Sequence, residues 1–203
     1  MCKYERLRRY QKETMTKVYF VRHAQPDETC ADDRTRPLTP LGLSDRVQVA
    51  DVLMKYPIDC FYSSTYKRNY DTIALCAEKL GMPIQTDERF RERTAGLNWH
   101  MSDIFQRRWD DFDFCEPGGE NLRSLQARNI EALREVLEKN PDKNIVIGTH
   151  GAALSAIINY YDKSFAADGF IRLYGWLPFI VRLDFSGQEY LGREELFYLV
   201  RGY

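Results

Sequence analysis

Apolar residues recur along this chain with two different spacings, and they alternate segment by segment. KVYFVRH (Lys17 to His23) is a short β-branched and aromatic run, which predicts a buried strand. LTPLGLSDRVQVADVLMKY begins with Thr39 before Pro40, a helix cap followed by proline at the first helical position. Leu43, Val47, Ala50 and Leu53, with Val49 and Met54 beside them, then recur at helical spacing. DCFYSS reads as a second strand and KRNYDTIALCAEKLG as a helix closed by Gly81. IQTDERF is a weaker strand, and the stretch from Arg91 to Asn121 is irregular, aromatic and rich in charge. NLRSLQARNIEALREVLEKN is a strongly periodic helix ended by Pro141, NIVIGTH a buried strand and GAALSAIINYY the helix after it. FIVRLDFSG and EELFYLVRGY alternate apolar and polar residues, as a closing hairpin or edge strands do. Strand and helix thus alternate, which predicts a three-layer α/β/α sandwich around a mostly parallel sheet.

Size and charge narrow the picture. At 203 residues the chain fits one domain of ordinary size, here expected over residues 16–203, with residues 1–15 as a polar, locally basic extension. Hydrophobic residues at 44% and charged residues at 29% describe a folded rather than a disordered chain. A net charge of -1 exerts no general pull on nucleic acid or an acidic membrane, so neither is an expected partner. Any anion site must therefore be a local gathering of Arg, Lys and His. The five cysteines, Cys2, Cys30, Cys60, Cys76 and Cys115, are odd in number and lack metal-ligand spacing, which reads as reduced thiols in the cytoplasm. No apolar stretch is long enough to cross a bilayer, and the N-terminus has no signal-peptide core. The apolar closing strands offer an edge, but the pattern sets no oligomeric state.

The chemistry collects by position. Two of the three histidines, His23 and His150, fall at the ends of predicted buried strands, each followed by a small residue, Ala24 and Gly151. In open α/β sheets the crevice beyond the carboxyl ends of the strands is where ligands bind. The strand DCFYSS opens into a helix whose first turn carries Lys67 and Arg68, and helix N-termini favour anions. With Arg22 beside His23, one sheet edge holds two arginines and two histidines, the composition of a phosphate pocket. Taken singly, a strand-end histidine is more often structural and Arg68 more often a surface charge. Composition and spacing alone therefore stop at an anion-binding α/β protein.

The motifs carry the reading further, because together they resemble the histidine phosphatase superfamily, which includes the cofactor-dependent phosphoglycerate mutases. VYFVRHAQPD resembles the family's opening strand and Arg-His-Gly motif, with Ala24 in the glycine position, and RPLTPLG resembles the lead into its first helix. YSSTYKRNYDTI resembles the turn before a second phosphate-binding arginine, which falls on Arg68. DERFRERTAGLNW resembles the segment of the acidic catalyst, which falls on Glu92, with Glu88 as its rival. PGGENL is similar to the start of the long helix, and IVIGTHGAAL to the second histidine motif, at His150. Two departures stand out: where many members carry Asn a few residues after the first histidine this chain has Thr29 nearby, and Trp99-His100-Met101 replaces a Trp-Glu-Gly segment.

The resemblance implies a phosphoglycerate-mutase-like fold and a phosphomonoester hydrolase working through phosphohistidine on His23. Glu92 would act as acid and base, Arg22, Arg68 and His150 would hold the phosphoryl oxygens, and Thr29 would add a phosphate contact. Arg22 and Arg68 would also keep His23 neutral by lowering its pKa. No metal and no cofactor is implied, and the partner is a small phosphorylated substrate. Two alternatives stand beside it: mutase-type phosphoryl transfer, whose longer insertions are not visible here, and a phospholigand-binding module without turnover. His100, Trp99, Trp109, Phe112 and Phe114 form either an aromatic flap at the substrate mouth or simple packing under a loop.

Overall fold

The computed structural model describes residues 15–98, 100 and 102–201. The expected extension over residues 1–15 thus lies almost wholly outside the described residues, as do Trp99 and Met101. In chain order the elements are β1 (Thr16–Arg22), α1 (Pro40–Leu53), β2 (Cys60–Ser63), α2 (Lys67–Leu80) and β3 (Ile84–Thr86). A 3-10 turn (Glu88–Phe90), α3 (Ser102–Asp110), α4 (Leu122–Lys139), β4 (Asn144–Thr149) and α5 (Gly151–Tyr161) follow. The last three are α6 (Ala167–Tyr174), β5 (Trp176–Ser186) and β6 (Glu189–Val200).

One sheet joins the strands in the order β3-β2-β4-β1-β5-β6. β3, β2, β4 and β1 run parallel, whereas β5 and β6 add an antiparallel hairpin at one edge. The side-chain period of two divides β1 between the faces. Val18 and Phe20 pack with Leu133 and Val136 of α4 and Leu154 and Ile157 of α5. Tyr19 and Val21 pack with Val49 and Leu53 of α1 and Ile73 and Cys76 of α2. The result is the three-layer sandwich with a mostly parallel sheet. Among the described residues no helix is long and apolar enough to cross a membrane.

Local signals place the helix starts. Thr39 caps α1, its hydroxyl accepting from Gly42 N at 3.0 Å, and Asn121 caps α4 by accepting from Ser124 N at 2.8 Å. Gly81 closes α2 in the left-handed region at φ 66°. The inward face of α1 differs from its apolar stripe. Leu43, Val47 and Met54 are exposed, while Gly42, Asp45, Val49, Ala50 and Leu53 are buried. Two long-range contacts turn the helix: Asp45 takes a bidentate ion pair from Arg201 at 2.8 and 2.9 Å, and Gly42 lies against the Gln25 backbone.

The irregular stretch after Arg91 also contains a helix, α3, and a further short helix, α6, precedes the hairpin. They hold each other through aromatic rings: Phe105 and Trp109, one turn apart on α3, lie 5.3 and 6.0 Å from Phe170 of α6.

Gly42 is where the fold meets the loop after His23. A Cβ there would stand 2.4 Å from the Gln25 carbonyl oxygen, a backbone atom that cannot swing aside. Gly42→Ala should cost on the order of 1–3 kcal/mol, read as a lowered urea midpoint with an unchanged m-value. An unchanged midpoint would show that the loop gives way freely.

Candidate active site

Parallel pairing brings the strand ends together. Arg22 stands opposite Thr149 across β1 and β4, and Ser63 opposite Gly148 across β2 and β4. The next residues, His23, His150 and Ser64, therefore emerge side by side at one edge. The two imidazole rings lie 5.5 Å apart, edge to face. His23 is 4% exposed, Arg22 3%, Arg68 4% and His150 fully buried, so the cluster sits in a poorly solvated environment.

Hydrogen bonds set the tautomers. His23 Nδ1 lies 2.8 Å from the Ala24 carbonyl oxygen, which can only accept, so Nδ1 carries the hydrogen and Nε2 keeps its lone pair. His150 Nε2 lies 2.8 Å from Ser64 Oγ, which already accepts from Tyr66 N at 3.2 Å and has its own hydrogen to give. The neutral His150 ring then carries its hydrogen on Nδ1, a buried atom with no partner among the described residues.

Electrostatics favour the same state. Burial is the first cause holding His23 well below the ordinary histidine range, and the Arg68 and Arg22 guanidinium groups add to it. His150 is lowered in the same way, by burial first and then by Arg68 and His23. Arg68, in the first turn of α2, donates through Nη1 to Asp33 O at 2.6 Å and pairs with Asp33 Oδ1 at 3.0 Å. A loop carboxylate thus rests on one of the cluster's two arginines.

Glu92 occupies the N-terminus of α5. Its Oε2 accepts from Ala152 N and its Oε1 from Ala153 N, both at 3.1 Å, and Oε1 accepts from Arg93 N at 2.9 Å. Arg22 leads the other way: its Nη1 donates to the Leu173 carbonyl oxygen, to Tyr174 O at 3.1 Å and to Trp176 O at 3.3 Å, at the end of α6. The same guanidinium lies against Gly151, where a Cβ would come within 3.2 Å of it. A glycine after His150 therefore lets Arg22 cross the start of α5.

Arg22, His23, Arg68 and Glu92 all line a cavity of about 1000 Å³, and the buried His150 ring lies edge to face against that of His23. Thr29 is not brought there: its hydroxyl and amide both donate to Asp27 Oδ1, at 2.7 and 3.0 Å, in an exposed turn. The Asp-x-Thr spacing is a local signal for that turn. Glu88, the rival acid, is held by Arg34 and by the Thr65 hydroxyl, away from the cavity. Arg36 reaches the cavity already paired with Glu28 and Asp33, and His100 lines its rim. Trp109 and Phe112 pack beside Leu122, Leu125 and Ala153, whereas Phe105 faces the cavity. Ser64, at the end of the DCFYSS run, was given no role by the sequence, and the α6 residues entered no motif. Among the described residues no three His, Cys, Asp or Glu side chains gather as metal ligands do.

Residues 18–175 match the profile of the histidine phosphatase superfamily (branch 1). The metal-independent phosphoserine phosphatase of Arabidopsis thaliana is 27% identical over 163 residues, covering 70% of this chain and 67% of that protein. Among solved structures, the native mycobacterial glucosyl-3-phosphoglycerate phosphatase superposes with a TM-score of 0.72 at 22% identity, covering 89% of this chain and 97% of that one. A phosphoserine phosphatase mutant from Entamoeba histolytica, in complex with phosphoserine, gives 0.69 at 20% identity, covering 90% and 96%. At these identities the two structures bear on the fold.

Two buried neutral histidines make stability depend on pH. The unfolded chain binds protons near pH 6.5 and the folded one only well below it. Their contribution is therefore complete above about pH 6.5 and is lost as pH falls beneath it. Urea midpoints should drop between pH 7.5 and 5, with a slope approaching on the order of 1 kcal/mol per pH unit for each histidine. His23→Gln should reduce that slope; an identical slope in the variant would contradict the burial of a neutral His23.

Proposed function

The chain belongs to the histidine phosphatase superfamily, and on that premise we propose that it hydrolyses phosphomonoesters through a covalent phosphohistidine on His23. One observation carries the assignment of the nucleophile: the Nδ1 hydrogen is spent on Ala24 O, which leaves the Nε2 lone pair of a buried neutral ring beside a cavity.

In the first step Nε2 attacks phosphorus, the bond from phosphorus to the ester oxygen breaks, and Glu92 gives its proton to the leaving oxygen. In the second, Glu92 takes a proton from water as that water attacks phosphorus. The bond to Nε2 breaks and inorganic phosphate leaves. Arg22, Arg68 and the Nδ1 hydrogen of His150 stabilise charge on the phosphoryl oxygens in both steps. The seat of Glu92 on two α5 amides supports its role, because it holds the carboxylate against the cavity next to His150 and Gly151. None of these steps calls for a metal ion, in keeping with the family and with a metal-independent relative. Thr29 has no part, since its hydroxyl is committed to Asp27.

The substrate is a small phosphorylated molecule, and we place the enzyme in the cytoplasm. Cys30, Cys60, Cys76 and Cys115 are free thiols, and burial raises those of Cys60 and Cys76 to about 11.

Rapid quenching with a labelled phosphomonoester should trap an acid-labile, alkali-stable label on His23. His23→Ala should abolish both label and turnover, and retention of ordinary turnover would refute the assignment. Glu92→Gln should lose on the order of 10²–10⁴-fold on alkyl phosphates and much less on p-nitrophenyl phosphate, whose leaving group needs no proton. Equal losses on the two substrates would remove Glu92 from the acid role.

A further inference from the structure

The cavity is far larger than the phosphoryl group the His23 end accepts, and its outer part has a chemistry of its own. One wall is apolar: the Phe105 ring of α3 lies 5.3 Å from that of Phe170 of α6, and Ile171 and Tyr174 of α6 line the same cavity. Ile171 is 55% exposed and Tyr174 42%, so this short helix shows large apolar side chains to the cavity rather than to the core. Leu173 on the same helix is fully buried in the main core and anchors it.

Three other arginines that line the cavity are already engaged. Arg93 donates to Glu116 Oε1 at 2.7 Å, to Thr94 O at 3.1 Å and to Glu120 O at 3.0 Å. Arg108 pairs with the same Glu116 at 3.1 Å, and Arg36 with Glu28 and Asp33. A second acidic group on the substrate would have to break into these pairs.

From this arrangement we infer that the preferred substrates are phosphomonoesters whose alcohol carries an apolar chain or ring, laid along the Phe105, Phe170, Ile171 and Tyr174 wall. The inference rests on the phosphatase reading and deepens it. Pockets of this size are ordinarily lined by apolar side chains with a few fixed polar groups, and here Phe105, Phe170, Ile171 and Tyr174 supply the apolar part while Arg36, Arg93 and Arg108 are held in ion pairs. Arg22 ties the two ends into one unit: it adjoins His23 in the chain, and its Nη1 holds the carbonyls of Leu173 and Tyr174. The wall therefore stands at a set distance from the attacked phosphorus. Binding of the chain should be much the same in ground and transition states, so the preference appears in KM rather than in kcat.

The test uses the full-length enzyme and unbranched alkyl phosphates from ethyl to hexyl, along which leaving-group basicity hardly changes. Each added methylene should raise kcat/KM by about two- to fourfold, with the change in KM. Phosphoserine, whose leaving group is zwitterionic, should fall about tenfold or more below hexyl phosphate. Ile171→Ser, at an exposed position that keeps the core intact, and Phe170→Ala should each flatten the rise with chain length, circular dichroism reporting that the helices are retained. A flat or falling series with phosphohistidine still trapped on His23 overturns the apolar preference and leaves the phosphatase reading standing. A preference for phosphoserine over hexyl phosphate does the same. Absence of a phosphoenzyme with every ester tried overturns both.

Discussion

The pairing of β1 with β4 is the constraint on which the site depends. A parallel ladder with Arg22 opposite Thr149 delivers the following residues, His23 and His150, to one edge at matching height. Neither ring could be there without the other strand, and neither strand end would be buried without α2 and α5 packed beside it. The backbone keeps the same bookkeeping, with His23 N donating to Thr149 O at 3.3 Å and Ser64 N to Gly148 O at 3.0 Å. The three strand ends are stitched at the very residues whose side chains face the cavity or support it.

Bringing two arginines to two histidines in a nearly dry environment has only a few stable outcomes. Protonated imidazoles would add charge where burial and Arg68 already oppose it, so both rings are neutral. A neutral ring has one hydrogen to place, and the second-sphere acceptor decides where. Ala24 O draws it to Nδ1 of His23 and Ser64 leaves it on Nδ1 of His150. One ring becomes a lone-pair donor and the other a hydrogen-bond donor from the same residue type. The loop carboxylate of Asp33 relieves part of the remaining positive charge by lying on Arg68.

Much of this was legible in the chain because it follows local rules. Thr39-Pro40 and Gly81 announce helix ends through caps whose partners are three or four residues away. Strand runs ending in histidine announce the sheet edge. The inward face of α1 was not legible, because Asp45 meets Arg201 and Gly42 meets Gln25, contacts between residues distant in sequence. α3 and α6 escaped for a related reason: each is short, and its apolar residues find their partner on the other. In the site, the strand-end histidines needed only pattern, while Glu92 needed the family resemblance. Its place is set by amides of α5, about 60 residues away along the chain. Thr29 instead stands in a turn with Asp27, two residues before it, a local pairing the spacing offered.

The position of Arg22 bears on how specificity and chemistry are joined. A guanidinium that served phosphate alone would leave α6 free to vary with the substrate. Here Nη1 is committed to the Leu173 and Tyr174 carbonyls that end α6, where a cation also meets the negative end of the helix. The remainder of the group crosses Gly151 at the start of α5, the helix whose amides hold Glu92. One side chain next to His23 therefore touches both the helix that lines the cavity's apolar wall and the helix whose amides hold Glu92. In the proposed reaction, the wall that meets the leaving group and the end that aligns the phosphoryl group are joined through Arg22.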